Sequence, residues 1–390
     1  MKGRGFRLAT VFGMPIRIHA SWLIVFLLIT WTLAKVVFPH QHAYPFQPNT
    51  QGLGAGWYWG MGVIAALLLF ISVLLHELGH SLVARHHHIP VEGITLFLFG
   101  GVSQIREEPK SARAEAEVTI AGWAVTATIA LLCLFVTPLI PAASDGLKAL
   151  KGVVGYLAFI NVMLLVFNAI PGFPLDGGRL LRAFLWWTTG NLRRSTYIAS
   201  SVGAAVGLIF IIGGVTSVLL GLGAGIFAWG GAWLALIGLF LRSAAQTSYQ
   251  QLLIRRALEG VPIGELMSTA LVCMPAETLL KDAVDEWFLR YRYHGFPICG
   301  PEGLQGVLSL DNVRTVDRDK WENTTVGQVM DRRAPQYAVP PDMDAVQVLA
   351  RMSRYDVGRI PVVQEGRLIG IVTRRDILEL LQLKSDLEKL

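Results

Sequence analysis

His76, Glu77 and His80 stand in the stretch ISVLLHELGHSLVAR, directly after an almost unbroken apolar run from Met61 to Leu75. Two histidines four residues apart share one helical face, roughly 5–6 Å between Cβ atoms, so one divalent ion can take a ring nitrogen from each. A membrane helix is an expensive place for them. Even on a lenient insertion scale an ionisable group at mid-membrane costs roughly 2.5–3.5 kcal/mol, and three sit here within about one and a half turns. Such clusters default to function.

Composition agrees that much of the chain lives in lipid. Of 390 residues 53% are hydrophobic and only 16% charged, against roughly 25% charged in soluble domains, and the mean hydropathy is +0.49. Apolar stretches fill the region before Leu241, whereas the remainder alternates like a soluble domain and carries many Arg, Asp and Glu. The net charge of +6 does not require nucleic acid as a partner. The Lys and Arg of the first part cluster at the ends of apolar runs, which the positive-inside rule explains. Cys133, Cys273 and Cys299 are too few and too scattered for a disulfide framework or a cysteine-based zinc site, and a reducing cytosol suits the second part.

Six runs meet or approach the length of about 20 apolar residues that crosses a bilayer: 20–38, 60–85, 114–140, 150–168, 198–220 and 222–241. The first follows a basic start and has no small-residue cleavage site, so it reads as a membrane helix rather than a cleavable signal. Lys2, Arg4, Arg7 and Arg17, Arg85, Arg106, Lys110 and Arg113, Arg179 and Arg182, Arg193 and Arg194, and Arg242 then fall on one side. That side is expected to be the cytosol, with both termini in it. Lys35, Lys148 and Lys151 weigh against this topology. Residues 91–105, VEGITLFLFGGVSQI, read as a β-hairpin with a Gly100-Gly101 turn that dips into the membrane against protein. Beyond Leu241, Gln246 to Leu258 reads as a polar-faced linker helix, followed by an internal repeat with a period of roughly 64 residues. Met267 aligns with Met330, Pro297 with Pro361 and Gly306 with Gly370, and each copy reads strand, helix, strand, strand, helix.

In an H-E-x-x-H motif the acid serves as general base, here Glu77, while zinc lowers the pKa of water toward about 7. A catalytic zinc takes a third protein ligand and keeps one position open. Asp176, in NAIPGFPLDGGRLLRAF, is the candidate, because Pro171, Pro174 and Gly177-Gly178 permit an irregular backbone that turns a carboxylate inward. The competing reading is that Asp176 caps a helix beginning near Leu180. Asn161 and Asn168 share a face of the fourth helix. Each can hydrogen-bond between helices, but Asn168 stands eight residues before Asp176 and could hold a substrate carbonyl or its oxyanion. His86, His87 and His88 point around a helix rather than converging, which suits interface anchoring better than a second metal site.

HELGH in a membrane helix, a Gly-Gly hairpin after it and FNAIPGFPLDGG later resemble the site-2 protease family of intramembrane zinc metalloproteases. The resemblance runs from FGMPIRIHASW through Arg182. It implies zinc on His76, His80 and Asp176, Glu77 as base, a catalytic role for Asn168, and a hairpin at Gly100 and Gly101 that binds unwound substrate as an added edge strand. Two positions depart from the family pattern: Trp123 follows Ala121-Gly122, and Ala20 follows His19, where the family often has Pro. Neither is expected to touch the ligands. The repeat resembles a pair of cystathionine-β-synthase (CBS) modules. That implies an adenine-nucleotide site of ATP or AMP type on Gly370, Thr373 and Asp376, whose counterpart in the first copy has Gly306 and Ser309 but Asn312. The competing reading is that the modules only dimerise or stiffen the assembly.

The expected architecture is therefore a multi-pass α-helical membrane protein of about six transmembrane helices with a membrane-associated β-hairpin, followed by a soluble α/β CBS-pair domain. Residues 1–245 form the membrane part, 246–260 the linker helix and 261–385 the pair, divided into 261–322 and 323–385. The expected activity is hydrolysis of peptide bonds in or near the transmembrane segments of membrane-anchored proteins in a prokaryotic cell membrane, under nucleotide control. The resemblance suggests an anti-sigma factor or a tethered transcription factor as substrate and a homodimer through the CBS modules. Two other classes compete: a CBS-regulated ion channel or transporter, which predicts polar groups along several helices, and a catalytically idle adaptor, which the intact ligand set argues against and only an activity assay would exclude.

Overall fold

The apolar runs fold as helices, and the loops between them supply the caps. Helix α1 (Ser21–Thr32) passes into a π-type turn at Leu33–Val37, and α2 (Ala55–His86), α3 (Ala112–Leu139), α4 (Asp145–Asn168), α5 (Asp176–Thr189), α6 (Leu192–Leu219) and α7 (Ile226–Leu258) follow. Ser111, Ser144 and Asn191 cap α3, α4 and α6 by accepting from backbone N–H groups three residues on. The computed structural model describes residues 6–40, 44, 47–97, 100–105, 109–220, 226–301 and 303–387. Among them α2, α3, α4 and α6 are long and apolar enough to cross a membrane, and Ser21–Val37 is a shorter apolar helix. Their outward faces carry exposed Leu131, Phe135, Leu139, Ile209 and Leu219, while Ala65, Ala66, Thr126, Ala130 and Ala158 are buried. Small residues inside and large apolar ones outside is the arrangement of a lipid-facing bundle. Helix α3 packs against α2, α4 and α5, which makes it the central support of the site.

The hairpin extends further than the sequence indicates. Strands β1 (Phe6–Val11), β2 (Met14–Ile18), β3 (Val91–Phe97) and β4 (Gly100–Ile105) form one sheet in that order. The N-terminal segment, legible only as a basic lead-in, runs parallel to β3, with Ile16 opposite Ile94 and Ile18 opposite Leu96. The Gly-Gly turn is corrected: Phe97 pairs with Gly100 and Leu96 with Gly101, so both glycines belong to β4. A two-residue connection closes such a hairpin, and residues 98 and 99 lie outside those described.

The chain divides into two compact units, Met1–Gln250 and Gln251–Leu390. The second contains hairpins β5 (Gly295–Gly300) with β6 (Gly303–Ser309) and β7 (Arg359–Gln364) with β8 (Arg367–Thr373). Ile298 pairs with Gly306 and Val362 with Gly370, and each hairpin bulges one residue later. The repeated methionines are exchanged between copies: a Cβ on Gly370 would meet Met267 Sδ at 2.4 Å, and one on Gly306 would meet Met330 Sδ at 2.6 Å. Ser268 N donates to Ile371 O and Asp331 N to Val307 O, so each copy is completed by the other. The three cysteines form no framework, but two of them meet. The bridge between Met274 and Ile298 brings Cys273 and Cys299 together as a disulfide, with Cα atoms 5.7 Å apart.

Candidate metal centre

Helix α2 places His76 and His80 one turn apart on a buried face, and α3 fixes both rings. His76 Nδ1 lies 3.0 Å from Gly122 O and 2.9 Å from Thr126 Oγ1, and His80 Nδ1 lies 2.8 Å from Val118 O. A ring nitrogen that bonds a carbonyl must carry the proton, so in the neutral ring each Nε2 presents a lone pair. These two nitrogens face each other at 3.0 Å. Asp176 Oδ2 joins them, 3.1 Å from His76 Nε2 and 3.2 Å from His80 Nε2, and accepts a hydrogen bond from neither.

With both rings neutral, three lone-pair atoms converge in a buried space, which repels unless a cation, a proton or a metal ion, lies between them. Zinc bonds of about 2.0–2.2 Å place tetrahedral ligand atoms roughly 3.3–3.5 Å apart, within a few tenths of an ångström of what is seen. Two imidazoles and a carboxylate suit zinc, and three ligands leave a fourth position open. Among the described residues this is the group of His, Cys, Asp and Glu side chains able to hold a metal ion.

Asp176 opens α5, and the N-cap is Leu175, with no side-chain cap bond. The expected helix start near Leu180 is thus four residues late, and Asp176 does not cap it. The glycines after it let the turn close: a Cβ on Gly178 would stand 2.2 Å from Gly172 C and one on Gly177 2.4 Å from Ile170 O. Phe173 N donates to Ala199 O, tying the loop to α6.

Glu77 is half-buried beside β4, where a Cβ on Gly101 would stand 2.6 Å from its Cγ. Gly101 thus lets the strand pass directly over the Glu77 side chain, while Gly100, with φ +124°, opens the strand. Asn168 ends α4, partly buried and without a side-chain hydrogen bond among the described residues. Asn161 is fully buried and donates to Leu157 O and Ser72 Oγ, which is the interhelical role. His87 pairs with Glu117 at 2.7 Å. In the Ala121-Gly122-Trp123 segment it is Gly122 that meets the site, its carbonyl accepting from His76 Nδ1 and its open Cβ position facing the His80 ring. Nothing in the residue type of Val118, Gly122 or Thr126 announces these roles, because a carbonyl and an empty Cβ position carry no side-chain signature.

In the second unit, Thr373 N donates to Asp376 Oδ2 at 2.7 Å and Asp376 N to Thr373 Oγ1 at 3.3 Å, capping the helix α10 (Arg374–Leu387), which follows α8 (Leu310–Arg314) and α9 (Ala345–Tyr355). Ser309 and Asn312 make the same capping box on α8. The nucleotide candidates Gly370, Thr373, Asp376 and Ser309 therefore occupy matching turns of the two copies, and Asn312 does for α8 what Asp376 does for α10.

The profile of peptidase family M50 matches residues 64–144 and 140–212, and that of the CBS domain matches 263–319 and 326–383. A protein of Synechocystis with a provisional zinc-metalloprotease name is 31% identical over 96% of this chain and 95% of its own. Rip3 of Mycobacterium tuberculosis, also provisionally named a zinc metalloprotease, is 32% identical over 96% and 92%. The solved site-2 protease from Methanocaldococcus jannaschii is 30% identical, covering 63% of this chain and 95% of that one, with a TM-score of 0.43. With relatives of that identity along nearly its whole length, the chain belongs to peptidase family M50, the site-2 protease family of zinc metalloproteases, and carries a CBS domain pair.

Proposed function

We propose that His76, His80 and Asp176 hold one zinc ion and that the protein hydrolyses peptide bonds in or near the transmembrane segments of membrane-anchored proteins. The observation that carries this is the convergence of two Nε2 atoms and one carboxylate oxygen within 3.2 Å. A zinc ion there supplies a Lewis acid and a water of lowered pKa. Glu77, offset by one residue from His76, accepts the proton of the attacking water and passes it to the leaving amine. Asn168 donates its amide to the substrate carbonyl as negative charge develops. An extended substrate segment pairs with β4 at Gly100 and Gly101, above Glu77, because a protease reads backbone that has left its helix.

The basic residues at the ends of the apolar runs favour a cytosolic position for both termini and the CBS pair. A tethered transcription factor or an anti-sigma factor fits a site on that side, and no nucleic-acid partner is needed. The CBS pair takes an adenine nucleotide of ATP or AMP type at Gly370, Thr373 and Asp376, with Ser309 in the matching turn, adjusts protease activity and joins two copies of the chain.

Incubation of purified protein with a single-span model substrate tests the activity. Cleavage is expected to stop with a chelator, to return with zinc and to be lost in Glu77→Gln. Undiminished cutting by Glu77→Gln in a protease-free preparation would overturn the reading.

A further inference from the structure

Helix α3 supports more than the histidine rings. Glu115, Val118, Gly122 and Thr126 recur at the spacing of one helical face. Val118 O and Gly122 O orient His80 and His76. One turn before them, Glu115 Oε1 accepts from Arg182 Nε at 2.6 Å, across 67 residues of sequence. Both side chains are buried, at 2% and 7% exposure. Arg182 lies on α5, the helix that Asp176 opens, and its guanidinium sits 5.1 Å from the centre of the Phe173 ring, in the loop just ahead of Asp176.

A buried ion pair is a poor stabiliser, since desolvation consumes much of the Coulombic gain and neutral replacements are often neutral or better. Its well-attested use is to fix register. Here the pair is held by the segment that delivers the third ligand and by the helix that aims the other two.

We infer that the Arg182–Glu115 pair is a positioning device for the metal centre, setting Asp176 against the rings of His76 and His80. This rests on the zinc reading above. Arg182 brings Nε and Nη2 to the single oxygen Glu115 Oε1, so α5 cannot slide or rotate along α3 without breaking these bonds. The same guanidinium on Phe173 holds the loop from the other side of Asp176. Loss of the pair leaves all three ligands present but the carboxylate displaced.

The test uses the full-length protein in detergent, loaded with cobalt for its visible spectrum and with zinc for affinity by chelator competition. Single substitutions strand a buried charge, so the informative variants are Glu115→Gln/Arg182→Met, which removes both charges, and the exchange Glu115→Arg/Arg182→Glu. The neutral double variant is expected to fold, with zinc affinity reduced about 10–100-fold, an altered cobalt spectrum, and a lower kcat at unchanged KM for a model substrate. The exchange is expected to recover part of the affinity. A neutral double variant with the native cobalt spectrum and zinc affinity overturns the inference. So does failure of both variants to fold, which would make the pair a requirement of the whole bundle. His80→Ala is the control: if the native protein gives no cobalt band, or the band survives His80→Ala, the metal-site reading itself fails and the inference falls with it.

Discussion

A Cβ placed on Gly122 would stand 2.3 Å from both Cε1 and Nε2 of the His80 ring. The same atom would lie 2.9 Å from Cε1 of His76, so one glycine on α3 makes room for both rings. Neither ring can retreat, because each is held through Nδ1 by that same helix.

Gly122→Ala is therefore expected to disable the centre while leaving the bundle intact. The added methyl must displace at least one imidazole, and overpacking of this kind typically costs about 1–3 kcal/mol. Zinc affinity should fall by more than about tenfold, as for the loss of a ligand's support. Chelator competition on the folded variant checks this, and native affinity would show that the rings have slack.

Thr126→Val separates two supports of one ring. His76 Nδ1 has Gly122 O and Thr126 Oγ1 within 3.0 Å, and only the hydroxyl is removed. The carbonyl still fixes the tautomer, so the loss should stay below about tenfold in zinc affinity, at the small end of effects on groups behind a ligand. A drop as large as that of Gly122→Ala would mean that the hydroxyl is the principal support.

The ligands were legible because their chemistry resides in side-chain type. Two histidines, a glutamate and an aspartate are costly in apolar runs, and that cost singles them out. What aims them was not legible. Val118 contributes a carbonyl, Gly122 an absence, and Arg182 was counted with the cytosolic charges because its partner Glu115 is 67 residues away. The sheet escaped for a related reason. β1 is exposed from Phe6 to Thr10, so no buried alternation marks it, and β2 becomes a strand through pairing with β3 far along the chain.

Asp331 supplies a pH dependence outside the membrane. The bidentate bond from Arg333, at 2.9 Å to each carboxylate oxygen, holds its carboxyl below the ordinary range, with partial burial opposing. A carboxylate depressed in the folded state stabilises fully above its unfolded value of about 3.9, and the contribution disappears as pH falls through the folded value. The unfolding temperature of the native protein should therefore exceed that of Asp331→Asn at pH 7, with the gap narrowing below about pH 4. A gap that does not change with pH would assign the effect to packing. Because Arg333 is mostly exposed, raised salt should narrow the gap at pH 7 as well.

Asp376 offers a way to separate capping from ligand binding, two jobs that the same carboxylate can do. Its Oδ2 accepts from Thr373 N and its backbone N donates to Thr373 Oγ1, the reciprocal box that Ser309 and Asn312 build in the first copy. An amide oxygen serves the cap as well as a carboxylate does, as Asn312 demonstrates, whereas an amide is the weaker acceptor for ribose hydroxyls. Asp376→Asn should leave stability within about 0.5 kcal/mol of native, and Asp376→Ala should cost about 1 kcal/mol through the lost cap. If the second copy binds an adenine nucleotide through this carboxylate, calorimetry of the full-length protein with ATP and AMP should show both variants weakened by about tenfold or more, a difference of about 1.4 kcal/mol. Native affinity in Asp376→Asn beside weakened binding in Asp376→Ala would mean that the nucleotide needs the capped turn and not the charge. In that case the first copy, whose turn is capped equally well, becomes an equivalent site.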